Sequence, residues 1–192
     1  MKKFELTTDS IEESGVTLYR IKALIDFGDV KAGDLGGYVE KEENLSQYGN
    51  AWVYGNARIY GNACVYGDAW VYGNARVCGN AQVHGDACVY GDACVYGNAC
   101  IYGNAQVHGD ACVYGNARVS DNADYICLKG FGSHNRSTTM FRAKSGNICV
   151  SCGCFSGTLE EFENKVKETH GNNKFAREYL ALVEAAKIHF EV

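Results

Sequence analysis

"VYGDACVYGNACIYGNA", residues 89–105, restates one six-residue phrase with little change. From Tyr48 to Val119, 72 residues divide into 12 such units without an insertion, and a degenerate thirteenth, "SDNADY", occupies 120–125. Within a unit, Ala and Val or Ile are two apart, so in a strand they point to the same side. The residue between them varies among Trp, Arg, Cys and Gln, as an outward position does. Gly followed by Asn or Asp supplies the permissive backbone of a corner. No unit this small can bury its own apolar face, so the units must stack on one another. One short strand and one corner per six residues predicts a three-sided β-prism with 18 residues per coil.

The rest of the composition fits a single rod with appendages. The 192 residues include no proline, 23 glycines and 10 cysteines. No apolar run is long enough to span a bilayer. The start, "MKKFELTTDS", lacks the apolar core of a secretory signal, so the chain is expected to stay in the cytosol and keep its cysteines as thiols. Six of them (Cys64, Cys78, Cys88, Cys94, Cys100 and Cys112) fall inside the repeat and read as filler. The formal charge of -5 is uneven: residues 1–47 carry 6 basic and 10 acidic groups, residues 48–125 carry 3 and 6, and residues 126–192 carry 9 and 7. An acidic body argues against general nucleic-acid binding. Ile126 to Leu159 is the exception, with Lys129, Arg136, Arg142 and Lys144 and no acid.

The repeat resembles the hexapeptide-repeat family, which implies a left-handed parallel β-helix; periodicity alone does not fix the hand. Together with the repeat, "LYRIKALIDFGDVKAGDLGGYVEKEENLS" (18–46) and "VSCGCFSGTLEEFENKVKETHG" (150–171) resemble hexapeptide-repeat proteins carried by phages and prophages. That resemblance implies a fold and a genomic setting more than an activity. Family members commonly form trimers about an axis parallel to the rod. Trp52 and Trp70, stacked on one wall, are the expected interface of such a homotrimer.

Three regions are expected. Residues 1–41 form an N-terminal β cap, from strands in "KFELT" and "VTLYRIKALID". Residues 42–125 form the β-helix. Residues 126–192 form an α+β module: a β-hairpin of "RSTTMFRAK" and "NICVSCGCF" turning at 145–147, then two helices. Thr158 followed by Glu161 is a capping box, Leu159, Phe162 and Val166 form an apolar stripe, and Gly171 stops the helix.

Candidate chemistry is sparse, and no cofactor is implied. Hexapeptide-repeat acyltransferases use a histidine base with a coenzyme A thioester, and their coils are generally interrupted by a loop. Here the run is unbroken, and His84 and His108 occupy Tyr positions on different corners. Cys127, Cys149, Cys152 and Cys154 could in number make a zinc site, yet Cys149 points away from Cys152 and Cys154, which favours strand thiols. The acid-free segment 130–146 is the expected ligand site: His134, Arg136, Ser137, Thr138, Thr139, Arg142 and Lys144 combine cations with hydroxyls, a set suited to phosphate or carboxylate oxygens. The plain alternative is a solvated hairpin whose charges pair with the glutamate-rich helix after it. The function expected from all this is non-catalytic binding of an anionic small molecule or host protein, with sequestration of a nucleotide-like defence signal in view. A structural solenoid and an acyltransferase stand as alternatives.

Overall fold

A computed structural model describes residues 1–192. Strands β1 (Phe4–Glu13), β2 (Val16–Ala23) and β3 (Leu35–Val39) are followed by twelve two-residue strands, β4 (Trp52–Val53) to β15 (Arg118–Val119), one per hexapeptide. Every third strand pairs in parallel, Trp52 opposite Trp70 and Cys94 opposite Cys112. The three walls are therefore β4-β7-β10-β13, β6-β9-β12-β15, and β5-β8-β11-β14, the last extended backwards through β3, β2 and β1. This is the triangular parallel β-solenoid of 18-residue coils that the repeat predicts.

The register explains each conserved letter within the chain. The Ala and Val/Ile side chains of all twelve units are 0% exposed and fill the prism. Corner glycines have positive φ, 73° at Gly73, where other residues are strained. A Cβ on Gly73 would also meet the amide nitrogen of Gly91 at 3.0 Å, so a larger residue would push the coils apart. The Asn/Asp position forms ladders between coils: Asn74 Nδ2 donates to Asp92 at 3.0 Å and Asn80 Nδ2 to Asn98 at 3.0 Å. Tyrosine positions stack as well, Tyr72 on Tyr90 at 4.8 Å and Tyr66 on His84 at 4.6 Å.

The N-terminal hairpin closes one end. It continues a wall antiparallel to the coil direction, and Phe4 and Phe27 pack edge-on against Trp52, at 6.2 and 5.3 Å. Buried Lys3 donates through Nζ to the carbonyl of Ala51 at 2.9 Å and, more weakly, to that of Gly49 at 3.4 Å, acceptors that have no coil beneath them. Trp52 is consequently 0% exposed and is not available to a partner; residues brought from far along the chain cover it. Trp70 remains half-buried on the same wall.

Past Tyr125 the chain forms a four-stranded antiparallel meander, β16 (Tyr125–Phe131), β17 (Arg136–Arg142), β18 (Ile148–Cys152) and β19 (Phe155–Thr158). Helices α1 (Leu159–His170) and α2 (Lys174–Phe190) follow. The expected hairpin is β17–β18, flanked by two strands that the sequence pattern does not announce. Thr158 and Glu161 form the expected capping box and Gly171 ends α1. The meander works as a two-sided wedge. Tyr125 and Phe141 join the solenoid core, whereas Met140, Ile148, Val150 and Cys152 join Phe162, Val166, Tyr179 and Leu182 of the helices.

Candidate functional site

Strand parity decides which residues of the acid-free segment can act together. Successive side chains of β17 point to opposite faces. Ser137 and Thr139 face the solenoid: Ser137 Oγ donates to Asp110 at 3.4 Å, and Thr139 Oγ1 accepts the amide of Cys112 at 3.0 Å. Thr138 faces the helices and is buried, its hydroxyl donating to Cys152 Sγ at 3.2 Å. These three hydroxyls therefore hold the module together and do not line a common site.

Arg136 and Arg142 share one face of β17, and the cations are separated by their partners instead. Arg142 donates through Nη2 to the carbonyl of Phe190 at 2.8 Å, lies over that ring at 5.3 Å, and pairs with Asp124 at 3.4 Å. Lys129 pairs with Asp110, whose carboxyl it holds below the usual range through that hydrogen bond. Lys144 is exposed at the solenoid's end, where its amide donates to Asn116. The acid-free stretch thus finds carboxylates on the solenoid and on the turn before β16, not on the helix after it. Arg136 is exposed and stands apart, with no carboxylate in salt-bridge range.

Arg136 and His134 open onto a groove of about 540 Å³ between the tip of the meander and the helices. Its apolar floor is a chain of rings: Phe155 lies 5.2 Å from Phe162, Phe162 meets Tyr179 edge-on at 5.6 Å, and Tyr179 lies 5.8 Å from His170. Lys165 of α1 supplies a second cation, paired at the rim with Glu168 at 2.8 Å. Two glycines shape the walls. The guanidinium of Arg136 lies across Gly153, and the Tyr179 hydroxyl sits against Gly132, with no room for a Cβ at either. The Gly132 amide donates to Glu178 at 2.9 Å, which fixes the tip to α2. Burial first, then neighbouring Cys152, pushes the Tyr179 hydroxyl up to about 12, so it stays protonated as a donor. An adjoining cleft of about 570 Å³ carries Glu161 and Glu168 and one apolar side chain, a poor fit for an anion.

Sequence reasoning found His134 and Arg136 and missed Lys165, His170, Phe155, Phe162 and Tyr179. The signal for these was the alternation along β17, which puts Arg136 on the face covered by α1 and α2. The four module cysteines do not converge. Cys127 accepts from Thr139 at 3.6 Å on the solenoid side, while Cys152 lies with Tyr179 on the helix side. Cys154 is exposed at the turn.

On the solenoid, His84 and His108 sit on separate ridges. His84 lies between Tyr66 and Tyr102, with Nε2 3.3 Å from Cys100 Sγ, and burial lowers its pKa. His108 stacks on Tyr90 at 5.2 Å. No helix is long and apolar enough to cross a membrane.

Comparison with known proteins points to the same repeat. The family model described as "YdcK Beta solenoid repeat" matches residues 57–73, 69–85 and 93–109. The chain is 39% identical over 61 residues to the "Uncharacterized acetyltransferase YdcK" of Escherichia coli (strain K12). That match covers 28% of this chain and only 19% of the relative's length. The inward Ala-x-Val pattern, the parallel register every 18 residues and the matched repeats together show a β-solenoid built from six-residue repeats.

Proposed function

We propose that the protein is a non-catalytic binder in which the β-solenoid is a rigid frame and the groove beside Arg136 holds an anion that also carries an aromatic ring. One observation carries this reading: among the cations of segment 130–146 that β17 contributes, Arg136 alone faces an open aromatic-floored groove without a carboxylate partner. A guanidinium fork suits phosphate or carboxylate oxygens, and the Phe155–Phe162–Tyr179 floor suits a flat ring. A nucleotide has both parts. The likeness to phage-carried hexapeptide-repeat proteins adds the ligand class to try first, a nucleotide-like signal of a host cell that is sequestered rather than turned over. In the same reading the rod self-associates as a trimer through the wall that carries Trp70, Tyr72 and Tyr90. Its outward strand residues Trp70, Cys88 and Gln106 carry no charge.

Mass spectrometry of small molecules released from the purified protein tests the binding reading. A nucleotide-like anion retained by wild type and lost from Arg136→Ala supports it; equal retention removes Arg136 from the site. Sedimentation velocity tests the trimer, and a monomer at all concentrations ends that part of the proposal.

Acyl transfer is the second reading, favoured by the name of the E. coli relative. His84, with its lowered pKa, would be the neutral base in one of the matched repeats. Thiol release from acetyl-coenzyme A in the presence of amine or hydroxyl acceptors, lost in His84→Gln, would support it over sequestration.

A further inference from the structure

Of the ten cysteines, Cys94 and Cys112 alone are register partners in adjacent coils. On the other two walls, Cys88 lies between Trp70 and Gln106, and Cys100 between Gln82 and Arg118. Neighbouring parallel strands place paired Cα atoms about 4.8 Å apart, inside the span a disulfide needs. The register is tight here, since the Cys94 amide donates to Ala111 at 2.8 Å and that of Tyr96 to Val113 at 3.0 Å. Both thiols are half-buried and point outward from the prism.

The surroundings of the two sulfurs differ. The Cys112 thiol donates to the Tyr96 hydroxyl at 3.8 Å, and neighbouring Cys94 first, then Ser151, Tyr96 and the positive charge of Arg76, lower its pKa against the opposing effect of burial. Neighbouring Cys112 first, and then burial, raise the pKa of Cys94, so its thiol stays protonated. Thiolate and thiol side by side are the halves of an exchange couple.

The geometry points to a redox-sensitive dithiol: Cys112 and Cys94 form a disulfide when the protein meets a low-molecular-weight disulfide of the glutathione type. The Cys112 thiolate attacks one sulfur of the oxidant, whose S–S bond breaks and releases one thiolate. Cys94 gives its proton to solvent, and its sulfur attacks Cys112 in the mixed disulfide, releasing the second thiolate. Two protein thiols are oxidised and one oxidant disulfide is reduced. The new bond ties β11 to β14 and takes Cys112 away from Ser151 of β18, so it is felt at the contact between solenoid and module.

The test treats the folded, reduced full-length protein with glutathione disulfide, blocks remaining thiols by alkylation, and digests on the N-terminal side of aspartate. Cleavage at Asp92, Asp110 and Asp121 separates the two cysteines, placing Cys94 with Cys100 in one peptide and Cys112 in another. The expected product is these two peptides joined, with fragmentation locating the bond at Cys94 and the joined pair unchanged in Cys100→Ser. In Cys94→Ser, Cys112 should instead accumulate as the glutathione mixed disulfide, because the resolving thiol is gone. A wild-type Cys112 that stays alkylatable, keeps glutathione, or joins Cys127 or Cys149 overturns the inference. So does a Cys94→Ser variant that gains no glutathione at Cys112.

Discussion

The guanidinium of Arg142 sits 3.4 Å from the carboxylate of Asp124, so the end of β17 is clamped to the turn that leaves the solenoid. The same side chain closes on the carbonyl of Phe190 at the end of α2. Both partners are remote in sequence, and both use up the charge that an anionic ligand would need.

Arg142→Ala should therefore act on stability and not on binding. A hydrogen bond to a charged group contributes about 1.5–3 kcal/mol, and the half-exposed ion pair adds little. Chemical denaturation should show a loss of about 1.5–3 kcal/mol. Ligand affinity measured on the folded variant should stay within a factor of two or so of wild type.

Arg136→Ala should do the reverse. Its guanidinium makes no ion pair and lies across Gly153 at the groove mouth, so removing it should hardly move the melting temperature. Loss of a charged hydrogen bond, about 1.5–3 kcal/mol, weakens binding of a nucleotide-like anion by roughly ten- to a hundred-fold in calorimetric titration. Arg136→Lys should recover only part, because an ammonium keeps charge but loses the planar fork.

Inside the prism, substitution should be costly in proportion to burial. Val95 is 0% exposed, and Val95→Asp would strand a carboxylate among alanine and valine walls, a cost of about 3–5 kcal/mol. Gln82 is exposed and its side chain accepts one hydrogen bond, from the Tyr66 hydroxyl at 3.4 Å, so Gln82→Asp should change stability by less than about 0.5 kcal/mol. Similar melting temperatures for the two variants would contradict the in/out register.

What could be read from the sequence follows the range of the interactions. The prism was legible because each role is restated twelve times, and the Thr158–Glu161 box because both partners are local. The site was legible only in part. Reading Arg136, Ser137, Thr138, Thr139 and Arg142 as one cluster neglected that neighbours on a strand face opposite ways. The burial of Trp52 depends on Phe4 and Phe27, whose arrival at the first coil no local pattern announces. β16 has a glycine at residue 130 in an apolar run without alternation, and β19 is only Phe155–Thr158; neither carries a strand period long enough to recognise.

Lys3 makes the N-terminal seal pH-dependent. Burial pushes its ammonium from the ordinary 10.5 down to about 8, against a smaller opposing pull from Asp68. Below pH about 8, folded and unfolded chains both carry the proton, and the cost of burying the charge is constant. Between about 8 and 10.5 the folded chain has released it while the unfolded chain still binds it, so this group's contribution to stability rises with pH. Lys3→Met cannot titrate; it leaves the Ala51 and Gly49 carbonyls without their donor but also removes the cost of burying a charge, so the test lies in the pH dependence of the gap to wild type. Taking the difference between the two proteins cancels the thiols and tyrosines that titrate in the same range. Denaturation midpoints measured from pH 7 to 10.5 should show wild type gaining on Lys3→Met only above about 8. A constant gap across that range would place the Lys3 ammonium in water and remove it from the seal.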